Sequence, residues 1–124
     1  MFWGAANVTD SEIQRIKGLV DSGIVKNVLG FNEPDLTSQA NMSVEEAIEL
    51  WPKLEELGVP LGSPVPSSVN SVWLEQFMSE AESKNLRVDF ICIHIYRGNN
   101  SGLFFQAVDD IYDKYRKPIW VTEI

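Results

Sequence analysis

Cysteine and histidine each occur once in this 124-residue chain, as Cys92 and His94. A lone thiol excludes an internal disulfide, and one cysteine with one histidine cannot assemble a zinc site of the usual ligands. Stability must come from packing. Basic residues are scarce as well: 10 Lys and Arg against 18 Asp and Glu leave a formal net charge of −8 and a pI near 4.5. Neutralising phosphates needs clustered Lys and Arg, so neither nucleic acid nor an anionic membrane surface is an expected partner. No run approaches the roughly 18 apolar residues that span a bilayer, and the N-terminus lacks the basic and apolar regions of a signal peptide. By itself the chain reads as soluble. The fingerprints G-x-G-x-x-G, G-x-x-x-x-G-K-S/T and G-x-S-x-G are missing too, which removes support for nucleotide binding and serine hydrolysis.

What is present alternates. Thr9 and Glu12 form a capping box ahead of Ile13, Ile16, Leu19 and Val20, with Gly23 as the stop, so a helix is expected over about 10–22. Val25 to Phe31 reads as a strand ended by Asn32, Glu33, Pro34 and Asp35. Ser43 and Glu46 open a second helix that Pro52 should kink or break, and Gly58 closes it. Val59 to Val65 is a weak strand because Pro60 and Pro64 remove donors, and Ser67 to Ser71 supplies caps for a helix through Trp73, Leu74 and Phe77. Val88 to Tyr96 is the clearest strand, with Ile91, Ile93 and Ile95 on one face and Phe90, Cys92, His94 and Tyr96 on the other. A helix over about 102–115 and a strand over Ile119 to Ile124 complete the pattern. Strand ends recurring about every 30 residues with one helix between them imply parallel strands and an α/β architecture.

Both ends look cut, since Met1 to Gly4 reads as a strand tail and nothing follows the last strand. The expectation is a partial (β/α)8 TIM barrel of about five parallel strands and four helices, a single partial catalytic domain over 1–124 truncated at both ends.

The chemistry then rests on carboxylates at strand tips. Glu33 ends one strand and Glu123 ends another 90 residues later, at the same edge of the sheet. Two carboxylates suffice for glycoside hydrolysis, and retention of configuration needs them about 5–5.5 Å apart. Alternation places Glu33 with Leu29 and Phe31, Glu123 with Ile119 and Val121, and Tyr96 with His94, so each face is apolar below and polar at its tip, as in a filled barrel under a reactive rim. His94 lies one step below Tyr96 and is a candidate substrate contact. Trp3 could stack on a sugar ring, whereas Trp51, Trp73 and Trp120 fit packing better. The acidic residues Glu45, Glu46, Glu49, Glu55 and Glu56 read as a solvated helix face with Lys53 as a local partner, not as a metal site.

The stretch Leu29-Gly30-Phe31-Asn32-Glu33-Pro34-Asp35 resembles the Asn-Glu-Pro motif that ends the fourth strand in the large clan of retaining (β/α)8 glycosidases. Trp120-Val121-Thr122-Glu123 resembles the end of the seventh strand in the same clan. Together with Met1-Phe2-Trp3-Gly4, Leu61-Gly62-Ser63-Pro64 and Ile93-His94-Ile95-Tyr96, the set is similar to glycoside hydrolase family 128, whose members cleave β-1,3-glucans. The resemblance implies that Glu33 is the acid/base and Glu123 the nucleophile. It also implies that Asn32 bonds the sugar 2-hydroxyl and Tyr96 bonds the nucleophile, with no cofactor. It spans strands three to seven of such a barrel.

A retaining endo-β-1,3-glucanase module is therefore the leading expectation, with a polysaccharide as its partner and weak or no turnover by the fragment alone. The alternatives are a noncatalytic remnant that binds glucan or self-associates through exposed sheet edges, and a same-clan glycosidase of other sugar specificity. Asn7-Val8-Thr9, Asn41-Met42-Ser43 and Asn99-Asn100-Ser101 are glycosylation sequons, which would suit a secreted or cell-wall parent.

Overall fold

The computed structural model describes residues 1–124. A short 3-10 turn, Ala5–Asn7, precedes α1 (Asp10–Asp21), β1 (Val28–Leu29), α2 (Val44–Glu55), β2 (Leu61–Gly62), α3 (Val72–Ser83), β3 (Ile91–His94), α4 (Ser101–Tyr115) and β4 (Ile119–Glu123). Four helices thus alternate with four parallel strands. β1 pairs with β2 and β3 with β4, and a parallel bridge between Gly62 and Phe90 joins the two pairs into the order β1-β2-β3-β4. No helix is long and apolar enough to cross a membrane.

The helix starts follow the capping residues. The Thr9 hydroxyl accepts from the Glu12 N–H, and the Ser43 hydroxyl from the Glu46 N–H. Ser71 occupies the N-cap of α3, yet its side chain makes no capping bond. α2 runs through Pro52 to Glu55, so the expected break is absent. Leu54 and Trp51, on either side of the proline, are fully enclosed, and that packing keeps the helix together despite the lost donor.

The strands are shorter than the apolar runs suggest, and four are formed where about five were expected. Met1 to Gly4 forms no strand. It is held by the Phe2 N–H donating to the Leu29 carbonyl and the Asn32 N–H donating to the Trp3 carbonyl, contacts too sparse for a ladder. Around Pro64 the β1–β2 pairing reduces to one bridge, Asn32 to Val65, because the proline offers no N–H.

The helix-side core holds Trp51, Phe77, Leu54, Leu74, Ile91, Ile93 and Ile95. A smaller cluster of Val65, Phe90 and Cys92, with Leu29 against it, fills the concave face of the sheet. Phe31 does not join Leu29 there. It is fully buried and meets Trp51 edge-on at 6.1 Å, so the shared face expected from alternation fails at this residue. Two glycines allow the close packing. A Cβ on Gly30 would come 2.8 Å from the Trp51 ring, and one on Gly62 would come 2.4 Å from the Phe90 ring.

Candidate active site

The C-terminal ends of β1, β3 and β4 converge on one rim. Glu33 stands just beyond β1 with φ 42°, a left-handed conformation uncommon for a residue bearing a Cβ. Its N–H donates to the Val65 carbonyl, and its own carbonyl accepts from Leu36, so the chain turns sharply at the carboxylate. The loop that follows is tied down by Asp35, whose carboxylate accepts from both the N–H and the hydroxyl of Ser67 beyond β2.

Glu123 reaches the same rim by a different device. Ile91 pairs with Ile119, Cys92 with Trp120 and Ile93 with Val121, but His94 pairs with Glu123 rather than with Thr122. The bulge inserts one residue and re-aims the glutamate onto the face of His94. Simple alternation had grouped Glu123 with Ile119 and Val121; the bulge separates them. The same register turns Trp120 onto the concave face, where it packs on Phe90 at 4.4 Å as expected but stays 42% exposed, so it is not a buried core residue.

Between the two glutamates lies His94, its side chain wholly buried. Nδ1 is 2.9 Å from Glu33 Oε1; Nε2 is 3.4 Å from Glu123 Oε1 but has no hydrogen-bond partner. One oxygen from each glutamate and a ring nitrogen of His94 all lie within 4.8 Å of one another. The Glu33 side chain is 12% exposed and that of Glu123 46%, so one carboxyl is enclosed while the other faces the open rim. The Tyr96 hydroxyl donates to Glu123 Oε2. That bond, with the neighbouring negative charge, raises the Tyr96 pKa above the ordinary phenol value.

Asn32 is buried beside this group. Its Nδ2 donates to Gln39 Oε1 at 3.3 Å, while its Oδ1 has no partner. Trp3 is half exposed at the same end of the molecule, through the bond between its carbonyl and the Asn32 N–H. Below the rim, burial pushes the Cys92 thiol up to about 12, so it is no nucleophile. The structure therefore brings Glu33, His94, Tyr96 and Glu123 into contact, with Asn32 and Trp3 alongside. Two features escaped the sequence: the Asp35 clamp, whose signal was an acidic residue just after Glu-Pro, and the bulge, which left no signal.

Comparison with known proteins adds the family. A model described as the glycosyl hydrolase catalytic core matches residues 1–124. The "Alkali-sensitive linkage protein 1" of Schizosaccharomyces pombe is 35% identical over 106 residues, 77% of this chain and 19% of that protein. A GH128 (subgroup I) endo-beta-1,3-glucanase from Amycolatopsis mediterranei, crystallised with laminaripentaose, superposes with a TM-score of 0.88 at 40% identity, covering 98% of this chain and 52% of that one. A GH128 (subgroup VII) oligosaccharide-binding protein from Cryptococcus neoformans superposes with a TM-score of 0.71 at 28% identity, covering 98% of this chain and 50% of that one. The chain spans about half the length of these solved relatives and matches part of their TIM-barrel-like structure. With a family model matched from end to end and a GH128 fold reproduced over nearly every residue, the chain belongs to the glycosyl hydrolase catalytic core family, as a GH128 member.

Proposed function

We propose that residues 1–124 form one unit of a retaining β-1,3-glucan hydrolase domain, with Glu33 as acid/base and Glu123 as nucleophile. The observation that carries this reading is the approach of the two carboxylates, drawn from two strand tips to within 4.8 Å across His94. Such closeness suits direct attack on the sugar and leaves no room for the water of an inverting mechanism. Glu33 protonates the glycosidic oxygen as Glu123 attacks the anomeric carbon, which gives a glycosyl ester on Glu123. Glu33 then takes a proton from water as that water displaces the glutamate.

The neighbours fit these steps. The Tyr96 hydroxyl, donating to Glu123, is the partner a carboxylate nucleophile needs. His94 Nδ1 can donate to an ionised Glu33 or accept from a protonated one, so the contact survives both halves of the cycle. The free Oδ1 of Asn32 is an acceptor for the sugar 2-hydroxyl, and Trp3 offers a face for an apolar sugar surface. No group in this scheme calls for a metal or cofactor. Export to the cell surface or wall is the location that suits a glucan substrate.

A second reading, oligosaccharide binding without turnover, is favoured by the C. neoformans relative, described as an oligosaccharide-binding protein. Assaying laminarin hydrolysis and laminari-oligosaccharide binding for the chain and for Glu33→Gln separates the two. Turnover that falls about 10²–10⁴-fold in the variant, with binding kept, supports hydrolysis. Because weak or no turnover is expected of residues 1–124 alone, the same assay is run on them within a complete barrel, where binding with no turnover in either protein supports the second reading.

A further inference from the structure

We propose that Asn41 accepts an N-linked oligosaccharide and that the first sugar of this glycan lies in the groove between α2 and α3, against the Trp73 indole. Of the three sequons, the structure treats Asn41 differently from the others. Asn7 is held into the 3-10 turn, its Oδ1 accepting the Gly4 N–H at 3.1 Å. Asn99 stands exposed on the turn before α4. Asn41 is exposed, has φ 48°, and lines a groove of 470 Å³ together with Asp35, Glu45, Trp73 and Gln76. That volume is in the range of small-ligand clefts. An indole flanked by carboxylate and amide groups is a chemically suitable floor for a pyranose ring.

Once the chain is folded, the loop holds the attachment point beside the groove. Met42 next to it is buried, and its carbonyl takes the Trp73 Nε1–H at 2.8 Å. Its N–H donates to the Pro34 carbonyl, and the Ala40 N–H to that of Asn32. One face of Trp73 stacks on Phe77 at 5.6 Å, which fixes the indole where the sugar would meet it.

The co-reactant is a lipid-linked oligosaccharyl pyrophosphate of the secretory membrane. Asn41 Nδ2 forms a bond to C1 of the first sugar as the bond from C1 to the pyrophosphate oxygen breaks. The lipid pyrophosphate leaves with the electron pair, and the amide nitrogen gives one proton to a base of the transferase. This inference rests on the export proposed above and not on the hydrolytic chemistry. Supplying an export leader in the test keeps the two apart.

The experiment expresses the chain behind a cleavable leader in a eukaryotic secretory host and maps glycans by peptide mass. Attachment precedes folding, so a variant that fails to fold still reports occupancy. Asn41 should carry sugar in most copies. Ser43→Thr should keep it, since threonine preserves both sequon and cap. Asn41→Gly, which suits the positive φ, should lose that glycan alone. A glycosidase that cleaves at the asparagine should release the Asn41 glycan at least tenfold more slowly from the folded chain than from the unfolded one. An unmodified Asn41 in chains whose leader has been removed overturns the attachment, and equal release rates overturn the groove placement.

Discussion

At the scale of single residues, Glu33 combines a strained backbone with an enclosed side chain. A φ of 42° costs a residue with a Cβ about 1 kcal/mol or more, and the bond to His94 helps to hold it there. Replacing His94 by alanine removes that bond and leaves a cavity in a wholly buried position. We expect a loss of about 1–3 kcal/mol in stability, read by thermal unfolding, and a fall in kcat that exceeds any rise in KM. Tyr96 offers a pH signature. Its hydrogen bond to Glu123 favours the neutral phenol, so the folded chain holds this proton more tightly than the unfolded one. The resulting stability is fully present below pH 10, the ordinary phenol pKa, and fades as pH rises through the folded value. Tyr115, pushed up to about 12 by burial, acts in the same direction. In Glu123→Gln the Tyr96 titration, followed by its ultraviolet absorbance, should move down towards the ordinary value. An unmoved titration would mean that the contact is not made in solution.

At the scale of elements, the close approach at β2 is the sharpest test of packing. Gly62→Ala would drive a methyl group into the Phe90 ring and the Cys92 sulfur, at 2.4 and 2.7 Å, and should destabilise by about 1–3 kcal/mol. Thermal melting measures this, and an unchanged midpoint would show that the concave face has slack. Helix starts were readable in the sequence because a cap is local: Thr9 and Ser43 act within three residues of themselves. Strand limits were not, because a ladder depends on its partner, and Pro64 silences the pairing on a neighbouring strand as well as its own. Pro52 misled for a related reason, since tertiary burial of Trp51 and Leu54 outweighs one missing hydrogen bond. In the rim group, the glutamates stood out as carboxylates at strand ends. The bulge that aims Glu123 at His94 is a matter of register between β3 and β4, to which alternation along one strand is blind. Phe31 turned from the concave face to Trp51 for want of such information too.

For the molecule as a whole, the outer edge of β4 and the concave face beside it are open within these 124 residues: Trp120 is 42% exposed, Val121 38% and Ile124 83%. Phe31 and Phe90, which alternation places on the lumen faces of their strands, are buried. An unpaired edge beside exposed apolar side chains favours pairing with another copy, while a net charge of −8 opposes it. Association of the isolated chain should therefore grow with added salt, which screens the repulsion. Sedimentation at several salt and protein concentrations measures it, and a monomer throughout would show that the edge is protected. The chemistry assigned to this rim is tested most directly by trapping the intermediate. A laminari-oligosaccharide carrying fluorine at C2 and a good leaving group at C1 forms a glycosyl ester that hydrolyses slowly. After incubation with the chain, peptide mass should place one sugar adduct on Glu123, and Glu123→Gln should carry none. An adduct on any other residue, or an unlabelled Glu123 in a chain that cleaves laminarin, would contradict the assignment of Glu123 as the nucleophile.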